Sequence, residues 1–297
     1  MSREGTAHAE EPTVLWSHEL PASVGVVGGG RMGAGIAHAF LAAGARVVVL
    51  EADDEAASHA RSRVTRNVEL ALERGDEPRS ADAVLAAFTT ATDVRSLADV
   101  GLVVEAVPES HDLKVEVLRR VEGVAPGAVL ATNTSSLSVD AIAARLTRPE
   151  RVVGLHFFNP VPASRLVEVV VGTATPPDLA EAAGQWVAAL GKTAITVTDS
   201  PGFASSRLGL ALALEAMRMV EAGVATAADI DLAMTLGYKH HLGPLRTTDL
   251  VGLDVRLAIA DHLAREVGER FAPPQVLRDK VAAGELGRKT GQGFYTW

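Results

Sequence analysis

Two residues in the stretch HFFNPVPASRLVE could carry a proton transfer. His156 ends an apolar run, VVGL, and Glu168 sits twelve residues later inside a second one, LVEVVV. A histidine that donates one ring N–H to a carboxylate is fixed in tautomer and orientation, and its other nitrogen is left free as a base. The turn between the runs, bounded by Pro160 and Pro162, is short enough to fold the second back beside the first. The chain has nine histidines, so residue type alone does not select His156. A hydrogen-bonded pair tolerated by a core would read the same way, and position in the fold has to decide.

A second set of residues, upstream, suits a dinucleotide. VGVVGGGRMGAGIAHAF holds Gly28, Gly30 and Gly33 in G-x-G-x-x-G spacing between an apolar strand and a helical segment. The first glycine permits the turn, the second lets the backbone approach a pyrophosphate, and the third lets helix and strand pack closely. Arg31 and Met32 fall inside the motif and are expected against the cofactor, at a helix N-terminus whose unpaired N–H groups favour phosphate. Glu51 ends the next strand about twenty residues on, where a carboxylate accepts from the adenosine ribose and disfavours a 2′-phosphate. The expected cofactor is therefore NAD. Glu51 would equally serve, with Asp53 and Asp54, to begin the following helix. A His–Glu couple beside a nicotinamide suggests alcohol oxidation, the base taking the hydroxyl proton as the carbon gives up its hydride.

Elements that would position these groups follow from the periodicity. Short Val-rich runs alternate with Ala/Leu/Arg segments of helical spacing, the βαβ signature of a parallel sheet covered by helices. Strands are expected at SVGVV, RVVVL, LVVEA, AVLAT, RVVGLHF, LVEVVV and AITVT, and helices over about 31–43, 54–73, 111–122, 138–145 and 177–190. After DSPGF the strand pattern stops and only helices are expected: LGLALALEAM, one opened by Thr226 with Asp229 three residues on, and a third through DLVGLDVRLAIADHLA. The first of these is apolar around most of its circumference and calls for cover from other helices, of this chain or of a second copy. The fold class is α/β, an N-terminal Rossmann-type dinucleotide-binding domain over 23–199 plus an all-α C-terminal domain over 200–297, preceded by a mobile extension over 1–22.

Bulk properties exclude several classes. A formal charge of −9 spread along 297 residues argues against nucleic-acid or anionic-membrane partners, which want a clustered basic face. No apolar run reaches the ~18 residues of a membrane span, and the polar start MSREGTAHAEEPT has no signal-like core. A cytoplasmic location is the expectation. The absence of cysteine excludes disulfides, thiolate chemistry and cysteine-ligated metals, and no metal is expected.

The motifs GGGRMGAGIA, VVEAVPE, TNTSSLS, GLHFFNPVP with LVEVV, DSPGF, GPLRTTDLVGLD and the terminal GRKTGQGFY together resemble the 3-hydroxyacyl-CoA dehydrogenases, from about Val24 to Trp297. The resemblance implies NAD-dependent oxidation of the 3-hydroxyl of an acyl-CoA by a His–Glu pair, on the L alcohol, in a homodimer formed through the C-terminal helices. It makes His156 the base and Glu168 its orienting acid. It gives Ser135 a hydrogen bond to the substrate's 3-oxygen, although Ser135 would also suit a helix N-cap. Asn159 would lie beside nicotinamide and substrate, Asn133 under the nicotinamide, and Glu109 and Lys114 against the cofactor or else at an ordinary solvated helix start.

Departures from the family pattern bear on the substrate. Where the family reads VNRL after DSPGF, this chain reads SSRL, which puts Ser206 at the asparagine position. Lys239, His240 and His241 replace a Pro-Met pair; they either meet an acidic acyl group or carrier, or form a solvated loop. Arg61, Arg63 and Arg66 either meet CoA phosphates or line a solvated helix face. Three functions stand at this level: a 3-hydroxyacyl-CoA dehydrogenase, the same chemistry on an acyl-carrier-protein-bound group, and a non-catalytic nucleotide-binding relative.

Overall fold

The computed structural model describes residues 16–297. Eight strands form one sheet in the order β3-β2-β1-β4-β5-β6-β7-β8. They are β1 (Ser23–Val27), β2 (Arg46–Leu50), β3 (Phe88–Ala91), β4 (Leu102–Glu105), β5 (Val129–Thr132), β6 (Val152–Phe157), β7 (Leu166–Val171) and β8 (Thr193–Thr198). All neighbouring pairs run parallel except β6 and β7, so the last two strands point opposite to the other six. Strand order reverses between β1 and β4, the place where open α/β sheets bind ligands.

Helices α1 (Arg31–Ala42), α2 (Asp54–Arg74), α3 (Ala81–Leu85), α4 (His111–Val124), α5 (Val139–Ala143) and α6 (Pro177–Ala189) connect the strands. Alternate strand residues feed two cores because both faces are covered. Val24, Val26 and Val104 pack with α1, α2 and α6, whereas Val27, Val103 and Leu130 pack with α4 and α5. After Thr198 the chain is helical: α7 (Ser205–Glu221), α8 (Ala227–Leu232), α9 (Pro244–Val251), α10 (Leu253–Val267) and α11 (Gln275–Ala282) close a third core around Leu210, Leu214 and Leu263. No helix among the described residues is long and apolar enough to cross a membrane.

Local chemistry explains most boundaries. Asp53 caps α2 by accepting from the Ala56 amide, and Gly75 ends it at φ +75°. Thr226 caps α8 through the Asp229 amide. The structure departs from the sequence reading at three places. The edge strand β3 is an eighth strand whose letters, FTTA, bury only Phe88 and so give no apolar run. DLVGLDVRLAIADHLA is two helices, because Gly252 sits at φ +107° between α9 and α10. Part of 16–22 is anchored: Trp16 and Leu20 lie against the core, and Trp186 donates its indole N–H to the Ser17 carbonyl at 3.0 Å. The rest of the extension assigned to 1–22 lies outside the described residues.

One close approach fixes how α1 meets β1. A Cβ on Gly33 would stand 1.7 Å from the Gly28 carbonyl oxygen, so no larger residue fits without moving the helix. Gly33→Ala is expected to cost about 1–3 kcal/mol or more by overpacking and to weaken NAD binding, read by urea unfolding and by cofactor titration.

Candidate active site

His156 and Glu168 are an opposed register pair across β6 and β7, with the imidazole Nδ1 2.6 Å from Oε2 of the carboxylate. Glu168 is fully buried and His156 only 6 % exposed. A carboxylate taken out of water needs donors. Besides His156, the Ser205 hydroxyl reaches Oε2 at 2.8 Å, and the amides of Ala204 and Ser205 reach Oε1 at 3.2 and 2.8 Å. Those amides open α7, which has no side-chain cap of its own. Glu168 occupies the cap's place, at the positive end of the helix dipole. Burial pushes the Glu168 carboxyl up, but the bonds from His156 and from Ser205 outweigh it and hold the group below the ordinary carboxylate range. An ionised Glu168 fixes the ring proton on Nδ1 and leaves Nε2 free to accept another. Phe158 and Phe203 flank the ring, their centroids 4.5 and 5.7 Å from its own.

A second carboxylate organises the TNTSSLS loop. Oε1 of Glu109 accepts from the Thr134 hydroxyl at 2.6 Å and from the amides of Ser135 and Ser136 at 2.9 and 3.2 Å. The Ser135 hydroxyl stands 3.4 Å from the same oxygen, a long bond that leaves it available to another partner. Ser135 is not a helix cap: Ser138 caps α5, through the Ala141 amide. Asn133 turns its Oδ1 to the Phe157 amide at 2.9 Å and so pins the residue after His156. Asn159 is exposed on the loop beyond β6.

Lys114 is placed differently from the sequence expectation. Its side chain is 1 % exposed, and its ammonium meets Glu105 at 2.8 Å, the Val107 carbonyl at 3.3 Å and Glu109 at 3.2 Å. Three donors meet three acceptors, so Lys114 faces inward and acts on Glu109 rather than on open space. Burial pushes the Glu109 carboxyl up, while the Lys114 charge and the Thr134 and Ser135 donors bring it below its ordinary range. Glu105 is fully buried and also takes the Thr132 hydroxyl at 2.7 Å.

The glycine turn borders a cleft of about 610 Å³ at the C-terminal ends of β1, β2 and β4, with Gly28, Gly30, Arg31, Met32 and Glu51 in its wall. These residues fit a dinucleotide. A Cβ on Gly30 would project into open space, and α1 begins there with no side chain on its free amides. Glu51 receives the Gly29 amide on Oε1 at 2.6 Å, which ties it to the turn and leaves Oε2 for a ribose.

Of the arginines expected near CoA, Arg63 donates to the Gly29 carbonyl at 3.4 Å, and Arg61 and Arg66 are engaged elsewhere. Arg66 is paired with Glu69 and Glu73 of its own helix, each at 3.3 Å, which neutralises it on a solvated face. Arg61 bonds Thr90 at 3.2 Å and lies over the Phe88 ring. Ser206 is half-buried, and among the described residues its side chain makes no hydrogen bond; its neighbour Ser205 is the one that meets Glu168. Ser205, Thr134, Glu105 and Gly29 escaped the sequence reading. Of these only Gly29, whose Cβ would lie 2.3 Å from that of Ala60, left a trace in the letters, as the middle of GGG.

Comparison with known proteins places the chain in one family. Residues 23–200 match the NAD-binding domain of 3-hydroxyacyl-CoA dehydrogenase and residues 202–297 its C-terminal domain. A 3-hydroxybutyryl-CoA dehydrogenase of Mycobacterium tuberculosis is 42 % identical over 279 residues, 92 % of this chain and 98 % of that protein. The mitochondrial hydroxyacyl-coenzyme A dehydrogenase of Sus scrofa is 35 % identical over 307 residues, 100 % of this chain and 96 % of that one. The crystal structure of an (S)-3-hydroxybutyryl-CoA dehydrogenase from Ralstonia eutropha superposes with a TM-score of 0.89 at 36 % identity, covering 93 % of this chain and 99 % of that one.

The inward-facing lysine gives a stability test. Lys114→Met strands two carboxylates without their shared cation and should lower unfolding stability by about 3–5 kcal/mol, most of it recovered in the double variant Glu105→Gln/Lys114→Met. Urea unfolding reads both. The pH test uses the two depressed carboxyls, whose ordinary value is 4.5. Stability from Glu109 and Glu168 is present above that pH and drains away as pH falls through their lower folded values, and Glu168→Gln should remove its share of that acid dependence.

Proposed function

The chain belongs to the 3-hydroxyacyl-CoA dehydrogenase family of NAD-dependent oxidoreductases, and from that premise we propose that it oxidises a 3-hydroxyacyl-CoA to the ketone with His156 as the base. The observation that carries this reading is the buried 2.6 Å bond from His156 Nδ1 to an ionised Glu168. When bound, NAD supplies the hydride acceptor. The protein supplies the rest: Nε2 of His156 takes the hydroxyl proton, and Glu168 keeps the ring oriented and favours its charged form as that proton arrives. Ser135, weakly held at its hydroxyl, is free to donate to the substrate's 3-oxygen, and Asn133 holds the strand end from which His156 projects. In the reverse direction the protonated imidazole returns the proton to the alkoxide side. Phe158 and Phe203 limit water around the ring.

The thioester carrier is CoA in this reading. Arg66 is neutralised by two acids, so the CoA phosphates would be met by other groups or by solvent. An acyl-carrier-protein substrate remains the competing form of the same chemistry. The cytoplasm, where NAD and acyl thioesters are both at hand, is a compartment that suits this reading.

A homodimer through the helical part belongs to the same proposal. Every large hydrophobic side chain left exposed among the described residues lies after Ser200, including Leu208 at 71 %, Leu236 at 68 % and Tyr238 at 75 %. Such a concentration marks an interaction surface, and a second copy is the simplest cover.

His156→Ala should keep NAD binding and lose about 10²–10⁴-fold in turnover, measured by NADH formation from matched CoA and carrier-protein 3-hydroxyacyl thioesters of varied chain length. Wild-type turnover in that variant would remove His156 from the chemistry, and a clear preference for the carrier-protein thioester would replace CoA. Leu236→Asp with Leu208→Asp should convert a sedimenting dimer to monomer, whereas a monomeric parent protein at micromolar concentration would refute the dimer.

A further inference from the structure

We propose that Ser205 is a positioning residue of this reaction, its hydroxyl setting how strongly Glu168 holds His156. The inference rests on the reading of His156 and Glu168 as the reacting pair and goes beyond it to a third residue, contributed by the helical part of the chain. The geometry is specific. The Ser205 hydroxyl donates at 2.8 Å to Oε2, the same oxygen that takes Nδ1 of His156 at 2.6 Å. Its amide donates to the other oxygen at 2.8 Å. The backbone contact would survive almost any substitution. The hydroxyl contact belongs to serine or threonine, and in the VNRL pattern an apolar residue stands here.

Two donors on one carboxylate oxygen compete for its charge. A carboxylate has about four lone-pair positions, and those of Glu168 are taken by His156, the Ser205 hydroxyl and the amides of Ala204 and Ser205. The hydroxyl therefore does two opposed things. It removes the freedom of Oε2 to swing away from the imidazole, which keeps the base aimed. It also draws on the negative charge that would otherwise stabilise the imidazolium, which moderates the base. The bond comes from α7, so the aim of the imidazole depends on where the first turn of the helical part lies against β7.

Among the described residues no other charged group meets Glu168. His156, from β6, is the titratable partner facing Glu168. On the other side β8 presents Ile195 in register with it. The basic residue of the first turn of α7, Arg207, is bonded to Ser200 at 3.1 Å.

The test pairs Ser205→Ala with Ser205→Thr. Alanine keeps the amide bond and a good helix start while deleting the hydroxyl, and threonine keeps the hydroxyl. In full-length protein labelled with ¹⁵N-histidine, the Nδ1 proton of His156, identified by its loss in His156→Ala, should move downfield in the alanine variant and stay near its original position in the threonine variant. The acid limb of kcat/KM for alcohol oxidation should shift upward by roughly half a pH unit in the alanine variant, the size expected when one of several bonds to a carboxylate is lost. An unmoved proton and an unmoved limb in Ser205→Ala overturn the proposal, as does a threonine variant indistinguishable from alanine. Full turnover in His156→Ala is a separate result, which would sink the role of the pair itself whatever the Ser205 variants do.

Discussion

A carboxylate buried without water must be surrounded by donors, and much of this molecule is arranged to supply them. Glu168 is the case on which the rest depends. Its four acceptor positions draw in the imidazole of β6 and the opening turn of α7, so one side chain fixes the imidazole, caps a helix and joins the sheet to the helical part. Glu109 does similar work for the TNTSSLS loop and is itself steadied by Lys114, the cation it shares with Glu105. In the helical part, Asp249 takes the amides of Phe294 and Tyr295 and the indole of Trp297, which folds the chain's last residues back onto α9. For the buried Glu168 and Asp249 a desolvation cost of several kcal/mol per ion is offset by charge-assisted hydrogen bonds from groups far apart in sequence.

How legible this was in the sequence depended on whether the signal was local. Gly28, Gly30 and Gly33 could be read because a tight turn, an open approach and a close contact each demand a missing side chain, and all three demands fall within six residues. The strands of the inner sheet could be read because both faces are buried and the letters are almost continuously Val and Leu. The edge strand β3 could not, because three of its four residues are not buried and its composition is that of a loop. Gly252 looked like one more residue in a helical pattern. Only its positive φ of +107° breaks the run in two.

The site divides in the same way. His156 and Glu168 were found through their positions in two adjacent runs joined by a short turn. The resemblance set Lys114 against the cofactor, with a solvated helix start as the alternative, and nothing local announces that Glu105, nine residues earlier, will bury it. Ser205 lay beside the residue that the family pattern singled out, and its hydroxyl bond crosses 37 positions of sequence. Contacts of that range are set by tertiary placement of α7 against β7, which no window of the sequence contains.

The reversal of direction at β7 has a consequence for the folding chain. In a parallel sheet, two functional side chains on neighbouring strands depend on a long crossover to bring them level. Here they face one another across a single antiparallel pairing, where alternate residues point to opposite sides. A slip of one residue would turn the carboxylate to the other face and bring Val167 or Val169 opposite the imidazole, while burying an unmatched charge. A mispaired molecule would then be unstable and would lack the His156–Glu168 bond, so that pair doubles as a proofreading device for the strand alignment that creates it.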